Sequence, residues 1–360
     1  NMPDLVTVGG DAFQGCEKLV KLNIPNVETI EKRGFSNTFS LSSVSLPKVK
    51  RIGSDAFNSA QIGAVGQSTR YGVLKDVEMP LVEELGESAF NSCKLIETLD
   101  VPNLRDIGKS CFAYCLLLNN IHFDNLDSIP GAAFYSCNRL SNFTFNNVKR
   151  LGNSAFAFCL MEEVKDEMFP SVTELGADAF RENIRMTTPI TGLTSITLSK
   201  VTKIGAGALR RNFALTYANF QSLKDLGAAA FKYDNVLKTV IAPNLETIGK
   251  EAFRGCTSLT TLAIGAKVPK LLAESEEDKL KTFECDGCVG RRLILLADDG
   301  LTPLSGDALK LAVANYKNDA GWGKVKKDTW YGWTITTSGV YASSVSERTL
   351  NGTIEGLPSF

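Results

Sequence analysis

Residues 16–35 read CEKLVKLNIPNVETIEKRGF, and this stretch decides the fold. Leu22 and Ile24 alternate with Lys21 and Asn23, so the two apolar residues share one face of a short strand and the polar pair points to the other. Pro25 ends the strand, Val27 and Ile30 point inward on the next side of the coil, and Phe35 fills the turn that follows. The phrase recurs eleven times. Its turn position is held by Phe13, Phe35, Phe57, Phe90, Phe112, Phe134, Phe156, Phe180, Leu209, Phe231 and Phe253, mostly 22 residues apart. A period this short cannot form a domain and belongs to a solenoid with one rung per repeat, in which each rung buries its edge only by stacking on its neighbours.

The same residue types return at the same offsets. The strand reads Leu41, Val44, Leu46, Pro47 in the second turn, Ile96, Leu99, Val101, Pro102 in the fourth and Leu259, Leu262, Ile264 in the eleventh. The second inward pair reads Val49 and Ile52, Leu104 and Ile107, then Leu245 and Ile248. A glycine follows it at Gly53, Gly86, Gly108 and Gly249, as expected for a tight bend or a close backbone approach. Longer loops are expected at residues 58–73, 181–192 and 206–219 and after Ile264.

Four segments carry a family resemblance: IGSDAF (52–57), LGESAFNSCKLIETLDVP (85–102), IGKSCFAYC (107–115) and IGKEAFRGCTSLTTLAI (248–264). Over residues 5 to about 283 the chain resembles the BspA-type, or Treponema pallidum-type, leucine-rich repeat family. The resemblance implies a leucine-rich repeat solenoid of about eleven rungs, with one extended parallel β-sheet face and a C-terminal cap containing a short helix. It also implies an exported or cell-surface protein that acts as an adhesin-like scaffold. The expected division is a solenoid over 1–283 and a cap and tail over 284–360. Within the latter, SGDALKLAVANYKNDAGWGKV (305–325) is similar to the family's terminal helix; Leu309, Ala312, Val313 and Tyr316 have helical spacing, with Ser305 or Asp307 at its start. The three tryptophans, Trp322, Trp330 and Trp333, lie just beyond, and residues 334–360 read either as one or two strands finishing the cap or as the start of a further region.

Composition narrows the function classes. Thirty-nine basic residues against forty acidic ones leave a net charge of -1, which argues against a nucleic-acid groove or an anionic-membrane surface. No segment approaches the roughly 18 apolar residues of a membrane span. The chain begins at Asn1 rather than Met, and the expectation includes a lipid anchor or leader upstream of Asn1.

Candidate chemistry is sparse. Six of the nine cysteines, Cys16, Cys93, Cys115, Cys137, Cys159 and Cys256, fall three residues after the turn aromatic, where Thr38, Ala60, Asn183, Asn212 and Asp234 stand in other rungs. A position that accepts Cys, Thr, Ala and Asn reads as a small buried ladder. Cys285 and Cys288 read as structural thiols, a local disulfide or half of a metal site, and no second CxxC completes four zinc ligands. The one histidine, His122, falls at an outward strand position, where a catalytic triad would need a nucleophile and a carboxylate converging on an open face, and the neighbouring outward positions Asn120, Asn142, Thr144 and Asp100 form a polar ladder without a pocket. No catalytic, cofactor-binding or metal residue is expected, and the chain reads as non-enzymatic.

What remains is surface. The outward files lead to His122, Asn142, Tyr217 and Ile241 as expected partner contacts, because bulky groups in a polar field carry most binding energy. The leading expectation is a surface or secreted scaffold that binds a host or neighbouring protein. The alternatives are a glycan-binding component of a surface assembly and a structural spacer.

Overall fold

The computed structural model describes residues 1–61, 70–123, 125–273, 275, 281–283, 292–319, 333–336 and 339–342. The chain divides into two compact units, Asn1–Met161 with Asp166–Arg185, and Glu162–Lys165 with Met186–Phe360. Both are solenoid-like stacks of one coil, built from very short parallel strands. No helix among the described residues is long and apolar enough to cross a membrane.

Most coils supply short strands on two sides. In the first unit, two separate two-stranded sheets pair Ser43–Ser45 with Asp76–Glu78 and Thr98–Asp100 with Asn120–His122. In the second unit, Glu163–Val164, Ser195–Thr197, Tyr217–Asn219, Thr239–Ala242, Thr261–Gly265 and Arg292–Leu296 run side by side in the same sense. The strands on the other side come from the segment around the second inward pair: Thr7–Val8, Thr29–Ile30, Arg51–Ile52, Glu84–Leu85 and Asp106–Ile107 stack in that order. Strict alternation buries Leu99 and Ile107 while Thr98, Asp100 and Asp106 face water.

Two expectations are corrected. Residues 206–219 are not a long loop: Tyr217–Asn219 pairs with Ser195–Thr197 at the regular 22-residue offset. The added length falls earlier, since Glu163 pairs with Ser195, 32 residues on. In the first coil, residues 21–23 form no strand, although Ile24 is buried as expected.

The aromatic turn is the most regular part of the coil. Phe13, Phe35, Phe57, Phe90 and Phe112 stack in sequence with ring centroids 5.0–5.9 Å apart. In the second unit Phe231, Phe253 and Phe283 continue the pattern at 5.4 and 5.3 Å. Two residues before and after the aromatic, the backbone turns left-handed, as at Asp55 and Ser88 before it and Tyr114 and Phe158 after it. The alternation aims every second N–H at the next coil: Asp55 N donates to Glu87 O, Phe57 N to Ala89 O and Ser59 N to Asn91 O, at 2.8, 2.7 and 3.1 Å. Such contact leaves no room for a side chain at Gly108, where a Cβ would sit 2.2 Å from Glu87 N and 2.5 Å from Glu87 Cα.

Two side-chain ladders fasten the coils further. The thiols of Cys93, Cys115, Cys137 and Cys159 donate to the carbonyls of Phe57, Phe90, Phe112 and Phe134 in the preceding coil, at 2.9–3.2 Å. Asn183 Nδ2 does the same to Phe156 O at 2.7 Å. Cys16 departs from the buried ladder and is exposed. At the strand ends, Asn103 and Asn125 donate through Nδ2 to Pro80 O and Pro102 O, at 2.9 and 3.0 Å.

Beyond residue 283 the parallel sheet continues, since Arg292–Leu296 pairs with Thr261–Gly265. The strands Trp333–Thr336 and Gly339–Ala342 form an antiparallel pair, and the second of them also pairs with Arg292 and Leu293. The helix Gly306–Asn318 buries Ala312, Val313 and Tyr316, the stripe expected from its spacing. Ser305 stands at its N-cap without a side-chain cap bond. Tyr316 donates its hydroxyl to Gly265 O at 3.0 Å, which ties the helix to the last coils. Cys285, Cys288, Trp322 and Trp330 lie outside the described residues.

Candidate recognition surface

The two sides present outer faces of different chemistry. On the shorter-stranded face of the first unit, charge alternates in sign from coil to coil: Glu28, Lys50, Glu83, Arg105, Asp127, Lys149. Neighbours meet as ion pairs, with Lys50 Nζ 3.3 Å from Glu28, Arg105 3.9 Å from Glu83 and Arg51 2.8 Å from Glu84. These pairs are exposed and each contributes under about 1 kcal/mol, so their effect is to fix which side chain lies opposite which.

The longer-stranded face of the first unit carries mainly Ser, Thr, Asn and carboxylates. Its files read Ser43, Asp76, Thr98, Asn120, Asn142 and Ser45, Glu78, Asp100, His122 across successive coils. A shallow open depression of about 360 Å³ lies on it, between Ser43, Ser45, Lys75, Asp76, Glu78 and Thr98. Ser45 Oγ donates to Glu78 Oε2 at 2.7 Å, and Lys75 Nζ lies 3.6 Å from Glu97. His122 is exposed, in register with Asp100, and Asn142 is exposed one coil further on.

The second unit differs from expectation. Ile241, expected as an outward contact, is only 1% exposed and is not reachable. It forms an apolar cluster with Ala263 and Leu296, on which Tyr217 and Ile294 pack. Tyr217 is half-buried, and burial pushes its phenol above the usual value. Alternation along a strand tells which side a residue faces but not whether that side is covered. The apolar file Ile241, Ala263, Ile294 across three paired strands is the signal of a second covered face.

A third surface runs along the aromatic turns. Tyr114, Tyr135 and Phe158 follow one another at 5.3 and 5.1 Å, tilted by 59° and 50°, and the Arg181 guanidinium lies 5.6 Å from the Phe158 ring. Among the left-handed residues after the turn aromatic, Tyr114 and Tyr233 are exposed while Ser92 is buried, and the identity of this residue in the sequence carries no periodic signal. The chain's buried thiols offer no nucleophile: burial pushes Cys93 and Cys159 up to about 12 and Cys115 and Cys137 well above their usual value. Among the described residues no three His, Cys, Asp or Glu side chains converge as metal ligands would.

The profile of the BspA-type leucine-rich repeat region matches in six copies, over residues 1–66, 70–187 and 189–275. The chain belongs to the BspA-type leucine-rich repeat family. The BspA-type coils described here are similar to those of a leucine-rich repeat protein from Bacteroides ovatus, at 25% identity over 75% of this chain and 78% of that one, with a TM-score of 0.46. A leucine-rich cell-surface protein from Faecalibacterium prausnitzii is 18% identical over 84% of this chain and 73% of that one, TM-score 0.42. The pneumococcal vaccine antigen PcpA is 18% identical over 74% and 70%, TM-score 0.42. No curated protein matches the chain.

Proposed function

We propose that this chain is a non-enzymatic, surface-displayed or secreted scaffold that binds a host or neighbouring protein through the longer-stranded face of its first unit. The observation that carries the reading is the contrast between the two outer faces. One face satisfies its charges along the stack, by Lys50 with Glu28 and Arg105 with Glu83; the other offers hydroxyls, amides and carboxylates around a depression. Flat polar files of this kind suit a protein surface or an extended segment laid across the coils. Membership of the BspA-type family supports binding and display outside the cell. A photo-crosslinking residue at Asn142 is expected to capture surface proteins, and the same residue at Asp127, on the other face, to capture none. Equal capture from both positions would sink the reading.

The Tyr114, Tyr135 and Phe158 series favours a second reading, glycan binding, because sugar rings stack on exposed aromatic faces. Its test is a glycan array probed with the wild-type chain and with Tyr114→Ala, and signal unchanged by the substitution removes it.

A further inference from the structure

The slot three residues after the turn aromatic holds a hydrogen-bond donor in coil after coil. Cys93, Cys115, Cys137, Cys159 and Cys256 donate through Sγ and Asn183 through Nδ2 to the preceding coil. Thr38 and Asn212 donate within their own coil, to Phe35 O at 2.9 Å and Leu209 O at 2.5 Å. Asp234 fills this slot between Asn212 and Cys256, and an ionised carboxylate has no hydrogen to give.

Its surroundings are equally unsuited to a charge. Asp234 is 0% exposed. Oδ1 accepts the Asn212 backbone N–H at 2.7 Å, and no donor meets Oδ2. On the flanking coils the titratable groups are Cys256, whose buried thiol donates to Phe231 O at 3.0 Å, and at the turn edge Arg210, Arg211, Lys232, Tyr233, Glu251 and Arg254. Of these, Lys232 and Arg254 both pair with Glu251. An isolated buried carboxylate would cost several kcal/mol, which protonation avoids.

We propose that Asp234 is a neutral carboxylic acid in the folded protein, its Oδ2–H replacing the slot's thiol or amide donor, and that this buried proton makes the second unit's coils less stable as pH rises. Leu209 O in the preceding coil accepts Asn212 Nδ2 and retains a second lone pair for the acid proton, whereas Phe231 O already accepts both Cys256 Sγ and the Asp234 backbone N–H. Burial pushes the carboxyl well above its usual 3.8, against the lowering pull of the Asn212 and Arg211 backbone amides. The unfolded chain releases this proton near 3.8 while the folded chain keeps it, so the stabilisation is full below 3.8 and is lost as pH climbs toward the folded value. Within that window the unfolding constant rises about tenfold per pH unit. Glu251 acts in the opposite sense. Burial pushes it up, but hydrogen bonds and charge from Lys232 and Arg254 hold it below 4.5, so its contribution is lost only on the acid side.

The test is urea unfolding of the full chain and of Asp234→Asn between about pH 5 and about pH 8. The wild-type midpoint is expected to fall as pH rises, and the Asn variant, which carries the residue found in this slot at Asn183 and Asn212, to lose that slope. An unchanged slope in Asp234→Asn overturns the proposal. Should the variant not fold, infrared spectroscopy of the wild-type chain decides. A protonated-carboxyl band at neutral pH that disappears on unfolding supports the proposal, and its absence from the folded protein overturns it.

Discussion

Ser110 sits two residues before Phe112 with φ 55°, where an L side chain crowds its own backbone. Ser110→Gly is therefore expected to stabilise the chain by about 0.5–1 kcal/mol, and Ser110→Val to destabilise it by about 1–2 kcal/mol, read from urea midpoints. A Val variant as stable as the wild type would contradict the left-handed assignment. The thiols give a second residue-scale outcome. Alkylation followed by peptide mass mapping is expected to label Cys16 at once and to reach Cys93, Cys115, Cys137 and Cys159 only on unfolding, because the latter are buried and held as thiols. The left-handed positions were not legible in the sequence. They hold Asp, Arg, Ser, Ala, Glu and Tyr, residues that give no common cue, and the turn is imposed by the hydrogen bonds of the stack.

Within one coil, the sequence was most informative where packing dictates the residue. The buried files of Phe57, Val49 and Leu104 were readable because their slots face the core, and Gly108 because a second backbone passes where its Cβ would be. Gly108→Ala is expected to cost about 3 kcal/mol, since the clash is with Glu87 backbone and not with a side chain that can swing away. A urea midpoint within error of the wild type would show that the coils can separate locally without loss. The Asn just past the strand end was readable in principle: Asn26, Asn103 and Asn244 each follow a Pro, Asn125 holds the same place after Asp124, and each donates to a carbonyl of the coil before. Ile241 was misread because its cover comes from elsewhere in the chain, and periodicity within a strand holds no record of that.

At the scale of the whole molecule, each coil bonds to the next, so damage is expected to stay near its origin. In Gly108→Ala, amide hydrogen exchange is expected to quicken from about Phe90 to about Phe134 while the coil of Phe231 keeps its protection. A uniform loss across the chain would show cooperation beyond nearest neighbours. The candidate recognition face was legible as a polar file in the first unit, through His122 and Asn142, and was misread in the second at Ile241, where the file of Ile241 and Ala263 is apolar and covered.

The ladder of turn bonds has a genetic corollary. Each coil offers its predecessor the same acceptors that it takes from its successor, as Phe57 N to Ala89 O is followed by Phe90 N to Cys111 O. Gain or loss of one whole 22-codon segment in frame therefore leaves every remaining bond with an equivalent mate. Unequal recombination between repeats can lengthen or shorten such a gene without inventing any new packing, so the reach of the encoded protein can drift faster than its architecture.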